Sequence, residues 1–349
     1  RKSWERSSCY VQLAEINLYF IFIGSIGFDL LIGDPRFIIH PVQIIGIYIK
    51  QITNFFIHNF KNNKRILFWG GLFIALSTIA TSFVIGKIIE LIFIQSKSNL
   101  IFGILIFLGL SSCLASKSLI SSVKEISNLI NDKITDQKTE QIVKEKVQRI
   151  VSRDVSTASL EHLLRSSIES LTENSVDGIF GPLFWIFIGT VFIKFSIFLP
   201  GPLSLGFSYK AISTLDSMIG YKYDQYKYLG FFSAKIEDYS TFLPSRLVLL
   251  TLPLVSSKIK KYISVIKKSY SDGIKYDSPN SGISEAIFAY ISNIKLGGEN
   301  KYNDEIIEKP IINSNGDICS KEKINIICQL ILRLQILWII TFTIIFFNI

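Results

Sequence analysis

Charged side chains recur every four residues along one segment of this sequence, at Glu161, Arg165, Glu169, Glu173 and Asp177. This spacing puts successive side chains on one helical face, one turn apart. Each step passes a full turn by about 40°, so the last three carboxylates stay close together. Like charges at this spacing repel by about 0.2–0.5 kcal/mol per pair, and a divalent cation or a cationic substrate would relieve the repulsion. The alternative interpretation is a solvated helix face.

The end of this segment is rich in hard oxygen donors, namely Glu169, Glu173, Asn174 and Asp177. Mg²⁺ prefers such ligands and usually takes one or two carboxylates together with substrate phosphates. Arg153 and Asp154 precede the segment, and Asp154 or Ser156 is expected to cap the helix that follows. The pattern therefore predicts a magnesium site that handles phosphate.

A second polar cluster lies nearer the start of the chain, where glycine and proline break any helix between Gly33 and Pro41. Asp34, Arg36 and His40 are held there beside an apolar run. This arrangement indicates a phosphate or metal site. A capped helix end with an arginine at the membrane edge is the simpler alternative.

A third cluster contains Lys210 and Asp216 within a moderately apolar stretch, followed by Arg246. An ionisable group in such a setting is a functional candidate by default. A pairing between Lys210 and Asp216 would explain both residues without a function.

The fourth cluster contains Asn280 and Glu285 and begins at a turn over Pro279–Gly282. Ser284 is expected to cap a helix that carries Glu285 in its first turn. Turn chemistry alone is the alternative interpretation.

Apolar runs separate these clusters and must position them. The runs are Leu18–Ile32, Ile66–Ile94, Leu100–Ile120, Ile179–Leu199, Phe242–Val255 and Ile324–Ile349, in a chain that is 49% hydrophobic. A bilayer core needs about 20 mostly apolar residues per helix, so we predict an all-α, polytopic membrane protein with about four to six membrane segments. The first and fifth runs are short, and tilted, re-entrant and interfacial helices are all open for them.

Lysine and arginine concentrate in the polar loops near residues 33–65, 121–178 and 256–323, which we predict to be helical and cytoplasmic. Residues 200–241 would be outside if 179–199 and 242–255 each cross the membrane. We favour instead a re-entrant hairpin of Ile179–Phe207 that turns at Pro200–Gly201–Pro202, with Phe242–Val255 at the membrane interface. Residues 18–349 are expected to form a single membrane domain, and residues 1–17 a disordered or non-native extension.

Several classes of function are excluded by what the sequence lacks. The net charge of +9 is a topology signal in such a chain, because no basic tract alternates with aromatic residues as nucleic-acid binding would require. The four cysteines contain no CxxC pair, so neither a disulfide framework nor a zinc site is indicated. No P-loop, dinucleotide-binding, nucleophile-elbow or kinase motif occurs.

In this order, the four clusters resemble the CobD/CbiB family of cobalamin biosynthesis. The residues that carry the resemblance include Asp34, Arg36, His40, Arg153, Glu169, Glu173, Asn174, Asp177, Asp216, Arg246, Asn280 and Glu285. It extends from about Leu18 to the C-terminus. Lys210 stands where the family usually has arginine, which keeps the charge, and the fourth cluster departs most from the family pattern.

The resemblance implies an integral protein of the cell's inner membrane that acts as adenosylcobinamide-phosphate synthase. The family joins a propionate carboxylate of the corrinoid adenosylcobyric acid to aminopropanol or its O-phosphate, and ATP and Mg²⁺ are expected cofactors. Other cobalamin-pathway enzymes and the lipid bilayer are expected partners, and nucleic acid is not. A transporter or a corrinoid-handling membrane subunit without catalysis is the alternative.

The roles that follow from the resemblance fall into three groups. Asp34, Asp216 and Glu173 are expected to be catalytic, with Asp34 or Asp216 taking the proton of the amine. Substrate and phosphate groups are expected to contact Arg36, His40, Arg153, Lys210, Arg246, Asn280 and Glu285. Glu169, Glu173, Asn174 and Asp177 are expected to hold Mg²⁺.

Overall fold

A computed structural model describes residues 2–33, 41–96, 98–130, 137–221, 226–302 and 305–349. The structure is 79% helical and confirms the prediction of a polytopic all-α protein. The helices are α1 (Lys2–Leu31), α2 (Pro41–Phe60), α3 (Lys64–Gln95), α4 (Leu100–Cys113), α5 (Ser116–Leu129), α6 (Gln137–Gln148), α7 (Leu160–Ser175), α8 (Gly181–Phe195), α9 (Pro202–Ile219), α10 (Tyr226–Leu229), α11 (Phe231–Thr251), α12 (Tyr262–Gly273), α13 (Ser281–Ser292) and α14 (Lys321–Asn348). A π-helical turn, Val176–Phe180, follows α7, and 3₁₀ turns, Leu252–Val255 and Ile259–Lys261, follow α11.

Five helical segments among the described residues are long and apolar enough to cross a bilayer, in agreement with the sequence. They are Gln12–Leu31, Lys64–Gln95, Leu100–Leu129, Leu160–Phe195 and Lys321–Asn348. The short run Phe242–Val255 is not one of them, because it forms the end of α11 and a 3₁₀ turn that contains Pro253. The first helix begins at Lys2, so the segment expected to be an extension is helical, and its non-native origin stays a prediction.

Two strands, which the sequence patterns did not predict, form an antiparallel hairpin of β1 (Leu296–Tyr302) and β2 (Glu305–Ile312). The pairing is irregular between Leu296 and Gly298. Gly297 and Gly298 have φ values of 83° and 91°, which side-chain-bearing residues rarely adopt. The two glycines therefore allow the strand to bulge beside α7, where it contributes to the site described below.

The chain divides into two compact units. The first contains Arg1–Lys117 and Gly181–Ser240, and the second contains Ser118–Phe180 and Thr241–Ile349. That residues 18–349 act as a single membrane domain stays a prediction.

In the first unit, α8 and α9 form the predicted hairpin around Pro200–Gly201–Pro202. A Cβ atom on Gly181 would meet Tyr209, and one on Gly189 would meet the Gly201 carbonyl. The first residue of α8 thus faces the middle of α9, and a later residue of α8 faces the start of α9, so the two helices run antiparallel. The glycines permit a close approach of the two backbones.

The start of α9 is capped by a side chain from α3. Glu90 is fully buried and its Oε1 accepts hydrogen bonds from the Leu203 and Ser204 amides at 2.6 and 3.0 Å. Gly201 stands at the N-cap position and has no side chain to offer, so Glu90 replaces the usual capping residue. Lys87 donates to the carbonyl oxygens of Ile197 and Leu199 and holds the turn from the other side.

The hairpin follows α3 along most of its length. Gly86 of α3 lies against Ser204 near the hairpin tip, and Ile74 of α3 packs in one core cluster with Leu215 and Ile219 of α9. The tip therefore lies near the Gln95 end of α3, and the C-terminal end of α9 lies towards the Lys64 end.

Candidate functional site

Helix α7 carries the charged stripe and begins one turn later than the sequence suggested. Ser159 is its N-cap, and its Oγ accepts a hydrogen bond from the His162 amide at 3.3 Å. Asp154 instead accepts from the Ser156 amide at 2.9 Å within a turn before the helix. The prediction that Asp154 or Ser156 caps this helix was therefore wrong.

Glu169, at the centre of the stripe, is fully buried and has protein partners on both oxygens. Its Oε2 forms an ion pair with Arg153, and its Oε1 accepts from the Gly297 amide at 2.9 Å. Arg153 also donates to Asn300 Oδ1 at 2.7 Å. The structure thus brings two residues of the second cluster together with the β-hairpin around one buried ion pair.

The protonation of Arg153 is secured by this pair. Burial alone lowers the pKa of the guanidinium, but the Glu169 carboxylate outweighs it and holds the pKa above its ordinary value. A buried pair of this kind is costly to break, because removal of either partner leaves the other charge uncompensated.

A second buried carboxylate, Glu285 on α13, is only weakly compensated. It is 0% exposed, and among the described residues neither of its oxygens has a hydrogen-bond partner. Lys309 on β2 places its Nζ 3.8 Å from Glu285 Oε1 and 5.3 Å from the centre of the Tyr276 ring. We call these residues, with Arg153 and Glu169, the buried charge network.

Charges in the buried charge network shift one another's pKa values. Burial raises the pKa of Glu285 to about 8, where Lys309 opposes the rise and the Glu169 and Glu173 carboxylates add to it. Burial lowers the pKa of Lys309, but the carboxylates, Glu285 first, outweigh it and raise the pKa above its ordinary value. Burial also raises the pKa of Tyr276. Burial thus favours the protonated form of Glu285, and the surrounding carboxylates favour the charged form of Lys309.

The three remaining metal candidates lie towards the end of α7 and its π-helical turn. Glu173, Asn174 and Asp177 are half-buried. The Asn174 amide group donates to the Ser170 carbonyl at 2.8 Å and to Ser170 Oγ at 3.0 Å. In the part of the chain that the structure describes, no three His, Cys, Asp or Glu side chains are grouped closely enough to hold a metal ion by themselves.

Arg246 and Asn280, from the third and fourth clusters, bind each other. Arg246 Nη1 donates to Asn280 Oδ1 at 2.5 Å, and Nη2 donates to the Pro279 carbonyl at 2.9 Å. Asn280, rather than Ser284, is the N-cap of α13, and Ser284 in the first turn donates to the Ser281 carbonyl. The prediction of a Ser284 cap was therefore wrong.

Of the other predicted residues, two belong to the first unit. Lys210 and Asp216 are on α9 in the first unit, both half-buried, and the Gly220 amide donates to the Asp216 carbonyl oxygen at 2.8 Å. Asp34, Arg36 and His40 lie outside the described residues, so their roles stay predictions.

A cleft of about 430 Å³ opens beside the buried charge network, between the start of α7 and the β-hairpin. Its lining includes His162, Arg165, Asn300 and Lys301. Arg165 donates to the Gly297 and Glu299 carbonyls, both at 2.6 Å, and His162 Nε2 lies 3.3 Å from Asn300 Oδ1. Arg165 therefore anchors the hairpin to α7 rather than facing only solvent.

Sequence reasoning missed Lys309, Tyr276 and Asn300 as members of this site. Asn300 and Lys309 belong to the β-hairpin, whose strands are too polar to show a clear alternation. The only available signal was the Gly297–Gly298 pair, which marks a backbone that must bulge or pass close to another chain segment.

Together the described elements define a polytopic α-helical membrane protein with a buried charge network beside a polar cleft. A profile of the family described as CobD/Cbib protein matches residues 22–331. "Cobalamin biosynthesis protein CobD" of Synechocystis is 37% identical over 292 residues, which is 83% of this chain and 80% of the relative. The protein of the same name from Clostridium acetobutylicum is 34% identical over 321 residues, 91% of this chain and 95% of the relative.

No solved structure matches the chain. The profile and the relatives together show that the chain belongs to the CobD/CbiB family.

Proposed function

We propose that this chain acts in cobalamin biosynthesis as adenosylcobinamide-phosphate synthase. It would join a propionate carboxylate of adenosylcobyric acid to the amine of aminopropanol or its O-phosphate. Family membership supports the pathway. The observation that carries the assignment to an enzyme is the buried charge network, since desolvated ionisable groups with shifted pKa values cluster at functional sites.

Amide formation sets two chemical requirements. A carboxylate does not condense with an ammonium group in water, so the acid needs a leaving group and the amine must lose a proton. With ATP as the activating reagent, the carboxylate would take a phosphoryl group and then release phosphate as the C–N bond forms. The proton of the amine would pass to a nearby carboxylate.

Glu173 is suited to the base role because it is half-buried next to the buried charge network and contributes to the pKa shifts of Glu285 and Lys309. Asp34 and Asp216 are further candidates for this role. Positive groups would hold phosphate and carboxylate oxygens, arginine by two parallel hydrogen bonds. The candidates are Arg36, His40, Lys210 and Arg246. Arg153, Asn280 and Glu285 are buried and would position neighbouring groups rather than contact substrate themselves.

The geometry of α7 reduces the number of predicted residues that could bind Mg²⁺. Glu169 does not fit as a ligand, because Arg153 and the Gly297 amide occupy its oxygens. The remaining predicted ligands fit, namely the carboxylates of Glu173 and Asp177 and the side-chain carbonyl oxygen of Asn174. Mg²⁺ usually takes one or two protein carboxylates and completes its shell with water and phosphate. When bound there, the ion would supply positive charge to phosphate oxygens.

The protein would work at the cell's inner membrane with its polar loops in the cytoplasm, where it would meet ATP, corrinoid and other enzymes of the pathway. The proposal is tested with membranes from cells that express the chain. They should form a cobinamide product from adenosylcobyric acid, aminopropanol phosphate, ATP and Mg²⁺, and omission of any one should stop it. Absence of product from membranes that contain the protein would refute the ligase and favour a transporter or a corrinoid-handling subunit.

A further inference from the structure

A lysine-rich stretch of the second unit plays no part in the site described above. Residues 258–271, here called the basic segment, contain Lys258, Lys260, Lys261, Lys267 and Lys268 and no acidic residue. Apart from Lys258, which is half-buried, these lysines are exposed. Asp272 follows the segment directly, and its carboxylate accepts hydrogen bonds from Lys275 and the Tyr290 hydroxyl. The preceding acidic residue along the chain is Asp238.

Helix α12 forms most of the basic segment and has apolar residues on both faces. Val265, Ser269 and Gly273 are buried, and α12 packs against α13. On the opposite face Ile263 is 65% exposed and Tyr270 is 47% exposed, and Ile274, just after the helix, is 54% exposed. Ile263 and Tyr270 are seven residues apart, and Tyr270 and Ile274 are four apart, so the three share one face of the helix. Lys267 lies on the same face. A soluble helix would carry polar residues at such positions.

The basic segment is attached to a candidate membrane span. Tyr262 donates its hydroxyl to the Leu250 carbonyl at 2.9 Å. Thr251, which follows Leu250, accepts from Trp338 Nε1 on α14 at 3.0 Å. Helix α14 is one of the candidate spans. The start of α12 therefore lies beside this span.

We propose that the basic segment lies on the membrane surface and binds anionic lipid headgroups, with Ile263, Tyr270 and Ile274 inserted at the boundary of the acyl chains. An interfacial helix is defined by this combination of exposed apolar stripe and flanking lysines. Lysines next to a span attract anionic lipid of the leaflet they face. The attachment to α14 favours the protein's own bilayer over a cytosolic partner as the occupant.

The test uses the full chain in vesicles and needs no corrinoid. A bimane label is placed on Ile263→Cys in a Cys9→Ser background, since the other three cysteines are buried. Ser314→Cys, at an exposed position outside the basic segment, is the matched control. Vesicles contain phosphatidylcholine brominated near the headgroup, with or without phosphatidylglycerol. We expect quenching at Ile263→Cys to be about threefold stronger than at the control when phosphatidylglycerol is present.

A second variant replaces all five lysines with glutamine and should lower this quenching to the level found in phosphatidylcholine alone. Equal quenching at the two labelled positions would overturn the membrane assignment. Quenching that changes neither with headgroup charge nor with the lysine substitutions would overturn the anionic-lipid assignment. A label that responds only to added cytosolic protein would show that the surface serves a protein partner instead. None of these results depends on ligation activity, so failure here is separable from failure of the proposed function.

Discussion

At the scale of single residues, Glu285 is a fully buried carboxylate whose oxygens have no hydrogen-bond partner among the described residues. Its pKa lies at about 8, above its ordinary value of 4.5, so the folded protein holds a proton that the unfolded chain releases. The stability that this proton contributes is present in full below pH 4.5 and is lost as the pH rises through about 8. A rise in pH therefore lowers the stability of the folded protein through ionisation of Glu285.

Glu285→Gln should remove this dependence, because the amide mimics the protonated acid at every pH. We expect the melting temperature of wild-type protein in detergent to fall more steeply than that of the variant between about pH 6 and about pH 8. Thermal unfolding followed across that range measures the difference. Parallel curves for the two proteins would contradict the assignment of a raised pKa.

The Arg153–Glu169 pair gives a second prediction at this scale. Arg153→Met should cost about 3–5 kcal/mol, because Glu169 would keep a buried charge without its partner. The double variant Arg153→Met with Glu169→Gln should lose less than Arg153→Met alone. Unfolding midpoints of both single variants and the double variant give the coupling. Strict additivity of the two losses would contradict a desolvated pair.

Residue types were easier to predict from the sequence than residue partners. The spacing of Glu169 and Glu173 correctly placed both on α7, but it gave no indication that Glu169 would meet Arg153 and Gly297, which are distant in sequence. A carboxylate suits a metal ion and a guanidinium equally well. Which of the two it binds depends on the fold, and in this fold Glu169 forms an ion pair with Arg153.

At the scale of elements, close glycine contacts let α9 lie against α3. An added Cβ at Gly86 would lie 2.7 Å from the Ser204 Cα, which is backbone and cannot yield cheaply. At Gly27 in α1 a Cβ would meet nothing within 4 Å.

Gly86→Ala should therefore destabilise the first unit by about 1–3 kcal/mol, as overpacking generally does. Gly27→Ala, the matched control, should be neutral or slightly stabilising, since alanine favours helix over glycine. Melting temperatures of the two variants in the same detergent make the comparison. Equal values for both would contradict the close packing of α3 against α9.

Helices with strong apolar character were predictable, and their ends were not. The hairpin around Pro200–Gly201–Pro202 followed from two prolines that flank a glycine between apolar runs. The capping of α9 by Glu90 could not be predicted, because Glu90 comes from a different helix. The β-hairpin was not predicted, because strand residues such as Glu299 and Lys301 are charged. Pairing of the two strands, rather than an alternation of hydrophobic residues, holds them in place.

At the scale of the whole molecule, the α8–α9 hairpin makes a prediction about sidedness. Its tip lies near the Gln95 end of α3, whereas the end of α9 lies towards the lysine-rich Lys64 end. Phe198 at the tip and Ser217 near the end of α9 are both exposed. Cysteines at these two positions should react with a membrane-impermeant thiol reagent from opposite sides of the membrane, Ser217→Cys from the cytoplasm.

Right-side-out and inverted vesicles make the measurement, with labelling after detergent as the control for reactivity. Reaction of both cysteines from the same side would contradict a hairpin that crosses the membrane. If both react from the outer side, the arrangement in which residues 200–241 lie outside is reopened.

The central claim is that carboxylates at the end of α7 serve an amide ligation. It is tested most directly by the rate of cobinamide formation for wild-type protein and two isosteric variants. Glu173→Gln should lower the rate by about 10²-fold or more, as expected for loss of a base or a metal ligand. Glu145→Gln, at an exposed position of α6, should leave it unchanged. Near-complete activity in Glu173→Gln, or an equal loss in both variants, would contradict the account.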